Sequence, residues 1–150
     1  MSKRQNWPSI SICESDQDIV REISQYQGIL RGTDTKDILM IAASLAVDMD
    51  IPEVPIPAGE HKKDIMHQSL LRSEAYREYR QYMLLIYYLT AGQRDLKTMS
   101  DFKAIVDNFV DYAHRGLQLL KTSYLKAGGP EQFEDKFAEA IGKCQQPILN

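Results

Sequence analysis

Hydrophobic residues recur at three- and four-residue spacing along most of the chain, which predicts amphipathic helices. The first helix is expected to begin at Ser15, whose hydroxyl can cap free backbone amides, and to stop at Gly28. Thr33 or Asp34 is expected to cap a second helix, which ends before Pro52. Small residues in the second helix predict the close approach of another helix and a central position: Ala42, Ala43, Ser44 and Ala46.

Three further helices are predicted in the second half of the chain. The third, from about Arg72 to Ala91, contains a dense apolar block that indicates burial in the core or in a subunit interface. The fourth begins with the capping pattern of Thr98 and Asp101 and runs for roughly 25 residues. Pro130 is expected to open a short last helix. The residues of the apolar block assigned to core or interface are Tyr82, Met83, Ile86 and Tyr87.

These patterns predict an all-α fold, a single-domain bundle of about five helices that spans residues 1–150. A proline-rich loop, 51–63, is expected between the second and third helices, because proline excludes helix and biases the preceding residue to extended backbone. Residues 1–14 are expected to form a loosely packed N-terminal segment. Two short stretches, Ile10 to Cys13 and Glu53 to Ile56, could form extended pairs.

Composition fits one ordinary globular domain, because 43% of the 150 residues are hydrophobic and 26% are charged. A net charge of −3 argues against a surface that binds nucleic acid throughout, although a local basic patch stays open. Cys13 and Cys144 fit no metal-ligand spacing and are expected to be free thiols. No stretch suits a signal peptide or a membrane span, so a cytoplasmic protein without membrane contact is expected. The single tryptophan, Trp7, either anchors the N-terminal segment or is exposed.

Two Asp-x-x-His spacings are the sharpest candidates for a metal site, Asp64 with His67 and Asp111 with His114. Asp107 precedes the second pair by one helical turn, so three potential ligands share one helix face, as in helical-bundle di-metal sites. Such sites need further carboxylates, for which the candidates are Glu74 and Glu78. The alternative is a set of solvated acidic faces, favoured because aspartate is shorter than the glutamate those sites usually use. The expectation is therefore no metal and no cofactor.

A basic, tyrosine-containing cluster is the second candidate, as a surface for a partner protein or for nucleic acid. Arginine binds phosphates and tyrosine stacks on bases, but both residue types also anchor protein interfaces. A partner protein is ranked above nucleic acid, and ion pairs on a solvated helix are an equal alternative. This basic cluster consists of Lys62, Lys63, Arg72, Tyr76, Arg77, Tyr79, Arg80, Arg94 and Lys97.

Sequence motifs for catalysis are missing. Neither cysteine has the context of an activated thiolate, and no Gly-x-Ser-x-Gly turn occurs. The pair Gly128-Gly129 lacks the glycine spacing and the lysine of a phosphate-binding loop. No catalytic residue is assigned.

The stretch DTKDILMIAASLAV (34–47) and the loop after it resemble the opening of a family of small proteins encoded beside bacterial DNA phosphorothioation (Dnd) systems. YRQYMLLIYYLTAGQRDL (79–96) and IVDNFVDYAHRGLQLLKTSYL (105–125) resemble that family's apolar helix, charged turn and long helix. The chain departs from the pattern at Ile41 and at 46–47, where the family has an aromatic residue and a glycine. A relative from another phage-defence cluster is the alternative.

The resemblance implies a non-enzymatic accessory or adaptor subunit of a DNA-modification-dependent restriction or anti-phage defence complex. Its expected partners are larger proteins of that complex, with direct DNA contact and a homodimer left open. Two other classes stay as alternatives, a metal-dependent helical-bundle enzyme and a small helical transcriptional regulator or antitoxin.

Overall fold

Helices dominate the protein in a computed structural model, which describes residues 6–26, 28–90 and 101–125. Within these ranges the chain is mostly α, as predicted, with one two-stranded sheet. None of the described helices is long and apolar enough to cross a membrane. In chain order the elements are β1 (Ile10–Cys13), α1 (Glu14–Gln25), α2 (Thr35–Asp48), β2 (Lys62–Met66), α3 (Gln68–Leu71), α4 (Arg77–Thr90) and α5 (Phe102–Leu120).

The packing of α2 against α5 forms the centre of the fold. The alanines of α2 are buried, which confirms the prediction that another helix approaches it closely. At the closest point Gly116 of α5 lies against the backbone carbonyl of Ala42, and a Cβ at residue 116 would overlap that carbonyl. The large side chains of the surrounding core include Ile38, Leu39, Ile105, Phe109 and Leu117.

The N-terminal segment is packed from Trp7 onward. Trp7 is buried and stacks on Phe102, with 4.6 Å between the ring centroids. Ile10 and Ile12 are also buried, so the expectation of a loosely packed segment is wrong for this part of it. The apolar side chains of β1 supply core volume, and this fixes the strand in place.

The sheet pairs β1 with β2 in antiparallel orientation, with Cys13 opposite Lys62. The extended stretch Ile10 to Cys13 is therefore confirmed as a strand, but its partner is Lys62–Met66 rather than Glu53 to Ile56. The proline-rich loop precedes β2 and is shorter than predicted, because residues 62–63 belong to the strand.

The predicted third helix is interrupted. A 3₁₀ turn at Glu74–Tyr76 separates α3 from α4, so the long helix begins at Arg77 rather than near Arg72. Arg80 stabilises the interruption, because its Nη1 donates to the carbonyls of Leu71 (2.7 Å) and Ser73 (2.5 Å).

The predicted caps are confirmed only in part. Ser15 does not cap α1, whose N-cap residue is Cys13. Asp101, expected inside the fourth helix, is itself the N-cap residue of α5. Asp34 occupies the N-cap position of α2. The Asp101 carboxylate accepts a hydrogen bond from the Ala104 amide at 3.1 Å, and α5 continues into a π-turn at Lys121–Leu125. The other predicted cap residue, Thr98, and the helix expected after Pro130 lie outside the described residues.

We expect Gly116→Ala to destabilise the protein, because the added methyl group would push α5 away from the Ala42 carbonyl. Helix propensity alone predicts the opposite result, an increase of up to about 1 kcal/mol in the free energy of unfolding. Overpacking typically costs about 1–3 kcal/mol, and the neighbour here is backbone, so a net loss of about 2 kcal/mol is expected from urea unfolding. An unchanged or increased free energy of unfolding would contradict the close helix crossing.

Candidate functional site

The structure does not bring the predicted metal ligands of α5 together with those of β2 and α3. Asp107 is exposed and pairs with Lys103 at 2.9 Å. Asp111 pairs with Arg115 at 2.6 Å. Both carboxylates thus have a cation on their own helix. Asp107 and Lys103 lie on a solvated face, whereas Asp111 and Arg115 are partly buried.

Asp64 and His67, the other Asp-x-x-His pair, also have local contacts. Asp64 lies exposed on β2 and accepts a hydrogen bond from the Ser11 hydroxyl. His67 is exposed and caps α3, because its Nδ1 accepts from the Ser69 amide at 3.2 Å. The two further candidates, Glu74 and Glu78, are exposed.

His114 alone among these predicted ligands is buried, with 2% of its surface exposed. Helix α5 places its imidazole against Asp16 of α1, which is 1% exposed. The distances from Nδ1 to the carboxylate oxygens Oδ2 and Oδ1 are 2.7 Å and 2.9 Å. On the opposite side of the ring, Nε2 lies 3.3 Å from the carbonyl oxygen of Pro55. One side chain thus connects α5, α1 and the proline-rich loop.

Cys13 completes a buried cluster with Asp16 and His114. Its sulfur lies within 4.8 Å of a carboxylate oxygen of Asp16 and of a ring nitrogen of His114. Cys13 occupies the N-cap position of α1, and Sγ is 3.5 Å from the Ser15 hydroxyl oxygen. Burial raises the pKa of the Cys13 thiol, so this cysteine does not have the low pKa and access to solvent of a nucleophile.

A shell of hydrogen bonds surrounds the buried cluster. Gln118 donates its amide to Oδ1 of Asp16 at 3.3 Å. The backbone amide and hydroxyl of Ser15 both donate to Glu60, at 3.2 Å and 2.9 Å. Arg115 Nη1 donates to the carbonyl of Ile51 at 3.1 Å. The contacts of Ser15 and Arg115 attach the two ends of the proline-rich loop to α1 and α5.

His114 is predicted as a metal ligand together with Asp107 and Asp111, but its side chain contacts Asp16 and Pro55 instead. Asp16 is 98 residues away along the chain. A usable signal was present, because Asp16 falls on the apolar face of α1, one turn before Ile19 and Val20. A carboxylate in that position has to find a buried partner, but the sequence does not say which.

The basic cluster contains both exposed residues and residues with structural contacts. Lys62, Lys63 and Arg77 are exposed, and Arg77 pairs with Glu74 at 3.6 Å. Arg72 donates from Nε to the carbonyl of Trp7 at 3.0 Å. The contacts of Arg80 across the break before α4 are structural, so Arg80→Glu would test folding rather than binding.

Two tyrosines were predicted on the same surface. Tyr79 is buried, and its hydroxyl donates to the Lys36 carbonyl at 2.8 Å, so its ring is not available to stack on a base. Tyr76 is half-buried, with the Lys36 ammonium 5.0 Å from its ring centroid. The cluster's Arg94 and Lys97, like Cys144, lie outside the described residues.

The apolar block of the third predicted helix faces two environments. Met83 and Ile86 are buried, and Tyr82 and Tyr87 are half-buried against the core. Leu85 and Leu89, by contrast, are about half exposed. Met83 and Ile86 thus belong to the core, whereas a subunit interface stays a prediction.

Comparisons with models of known families, with curated proteins and with solved structures found no match.

We expect the stability of the metal-free protein to fall as pH rises from 6 to 8. The hydrogen bond to Asp16 raises the pKa of His114, which outweighs the lowering effect of burial, and the charges of Asp16 and Asp111 act in the same direction as the bond. Because the pKa of His114 is higher in the folded protein than in the unfolded protein, protonation of His114 stabilises the fold fully below the unfolded-state pKa of about 6.5. This stabilisation is lost as the pH rises through the folded-state pKa.

The measurement is urea unfolding at several pH values in the presence of a chelator, where one proton contributes at most about 1.4 kcal/mol per pH unit. His114→Gln should flatten the decline, whereas the exposed control His67→Gln should preserve it. An equal slope in wild type and His114→Gln would contradict the assignment.

Proposed function

We propose that this protein is a non-enzymatic accessory subunit that binds a larger protein of a DNA-modification-dependent restriction or anti-phage defence complex. The observation that carries the binding role is an exposed apolar patch on α4, formed by Leu85, Tyr88 and Leu89. Leu85 and Leu89 are 51% and 50% exposed. Their spacing of three and four residues puts the three side chains on one helix face.

The burial of other residues of α4 sets this patch apart. Met83 and Ile86 already fill the core, so the α4 patch is apolar surface beyond what the described core uses. An amphipathic helix on a protein surface normally carries polar residues outward, and grouped apolar residues there are typical of interaction sites. A partner with an apolar groove, or a helix with a matching stripe, fits such a face.

The defence assignment rests on the resemblance of three stretches to the Dnd-associated family. These stretches correspond to α2, α4 and α5, the two central helices and the helix that carries the patch. The exposed basic residues Lys62, Lys63 and Arg77 are the candidates for additional contact with DNA or with an acidic part of the partner. Contact with a partner protein is the main proposal.

We expect the double variant Leu85→Glu with Leu89→Glu to lose its partner. Both side chains are half exposed, so two carboxylates should disrupt an apolar interface while the fold survives. The measurement is affinity purification of tagged protein from its native host in moderate salt, with quantitative mass spectrometry of the restriction and DNA-modification proteins. Wild type should recover such a protein in near-stoichiometric amount. The amount recovered with the double variant should be at least tenfold lower.

The matched control is Ile29→Glu, which changes an equally exposed apolar residue that is not on α4. Circular dichroism and thermal unfolding check that all three proteins are folded. Recovery of wild type without any restriction or modification protein, as a monomer or a homodimer, would contradict the proposal. Equal recovery with the double variant would show that the α4 patch is not the binding surface.

A further inference from the structure

His114 places Nδ1 against both carboxylate oxygens of Asp16, at 2.7 Å and 2.9 Å, and Nε2 against the carbonyl of Pro55 at 3.3 Å. A carbonyl oxygen only accepts, so a ring that bonds to Pro55 carries a hydrogen on Nε2. In that tautomer of the neutral ring, Nδ1 has a lone pair that faces the two carboxylate oxygens. Two acceptors at that distance need a positively charged species between them, either a proton or a metal ion.

The thiol beside this pair points to a metal ion. A proton is satisfied by one nitrogen and one oxygen, whereas Cys13 brings a third potential ligand atom within 4.8 Å of both. We propose that Cys13, Asp16 and His114 bind a divalent transition-metal ion of the zinc type, through sulfur, oxygen and nitrogen. Thiolate and imidazole select such ions over Mg²⁺ and Ca²⁺, which prefer oxygen ligands only.

The geometry needs only small adjustments. Zinc bonds of about 2.0–2.3 Å at tetrahedral angles separate ligand atoms by about 3.3–3.6 Å. The sulfur has to approach by up to about 1.2 Å, and the distance between Nδ1 and the carboxylate oxygens has to open by about 0.4–0.6 Å. Rotation of the Cys13 and Asp16 side chains supplies movements of this size.

The charge of the occupied site also suits its burial. A dication with the Cys13 thiolate and the Asp16 carboxylate gives a neutral group, which avoids the cost of an uncompensated buried charge. The metal would replace the proton on Nδ1 and the proton of the thiol, so binding releases protons. Three protein ligands leave one coordination position for water or a small ligand.

The hydrogen bonds around the cluster match those that orient metal ligands. A metal-binding histidine usually donates its other N–H to a carbonyl or a carboxylate, as Nε2 of His114 does to Pro55. Ligating carboxylates are usually hydrogen-bonded as well, and Gln118 donates to Asp16. This shell is already in place on both sides of the proposed ion.

The test uses the Cys144→Ala protein, in which Cys13 is the single cysteine. Full-length protein without a tag is reduced, stripped with chelator and titrated with Co²⁺, and then with Zn²⁺. We expect about one equivalent to bind, with a thiolate-to-cobalt absorption band that Zn²⁺ abolishes. Because this band requires a thiolate ligand, it reports Cys13 directly and needs no variant of the site itself.

Cys13→Ala should lack the band and bind Zn²⁺ at least tenfold more weakly, while the exposed-histidine control His67→Gln should match wild type. Absence of the band in Cys144→Ala protein would overturn the proposal. Unchanged Zn²⁺ affinity in folded Cys13→Ala protein would also overturn it and indicate adventitious binding. Neither result bears on the α4 patch.

Discussion

The buried contact between Asp16 and His114 is the constraint on which the arrangement of the described chain depends. Charged groups are costly in a protein interior unless they are paired, and breaking such a pair leaves an uncompensated charge. The two residues belong to α1 and α5 and are 98 positions apart. Their pairing fixes the two helices relative to each other, and the contact of His114 with Pro55 adds the proline-rich loop.

The apolar core positions this contact rather than competing with it. Gly116 brings α5 close to α2, and the buried stripe of α5 packs there. His114 and Gln118, four residues apart, occupy a neighbouring face of α5 and reach Asp16. A shift of α5 along α2 would therefore move both polar side chains away from α1. Close helix packing and the buried pair support the same register.

Features that depend on neighbours in sequence were predictable. The apolar period predicted α2 and α5, Asp34 marked the start of α2, and the prolines predicted an extended loop between α2 and the following elements. The break before α4 was missed, because it depends on Arg80 reaching two carbonyls of the preceding turn. The helix propensities of single residues do not include such a contact between a side chain and the backbone.

Features that depend on distant residues were not predictable. The pairing of β1 with β2 and the meeting of Cys13, Asp16 and His114 join parts of the chain that no local pattern links. The spacing of aspartate and histidine on one helix suggested a shared site, but each aspartate has a basic neighbour of its own. The partner of a buried polar residue is set by tertiary structure.

The two functional proposals concern separate parts of the molecule. The α4 patch is an outer surface with no role in the described core, whereas the buried cluster lies where β1 meets α1, against α5. Binding a metal would strengthen the connection that the Asp16–His114 contact already makes. Partner binding needs only that α4 stays in place.

A double-mutant cycle on Asp16 and His114 tests the central claim most directly. Asp16→Asn, His114→Gln and the double variant are compared with wild type by urea unfolding near pH 6 with a chelator present. Each single substitution is expected to cost about 3–5 kcal/mol, and the double variant should cost at least about 1 kcal/mol less than the sum. Small single effects that add within about 0.5 kcal/mol would show that the fold does not depend on this pair.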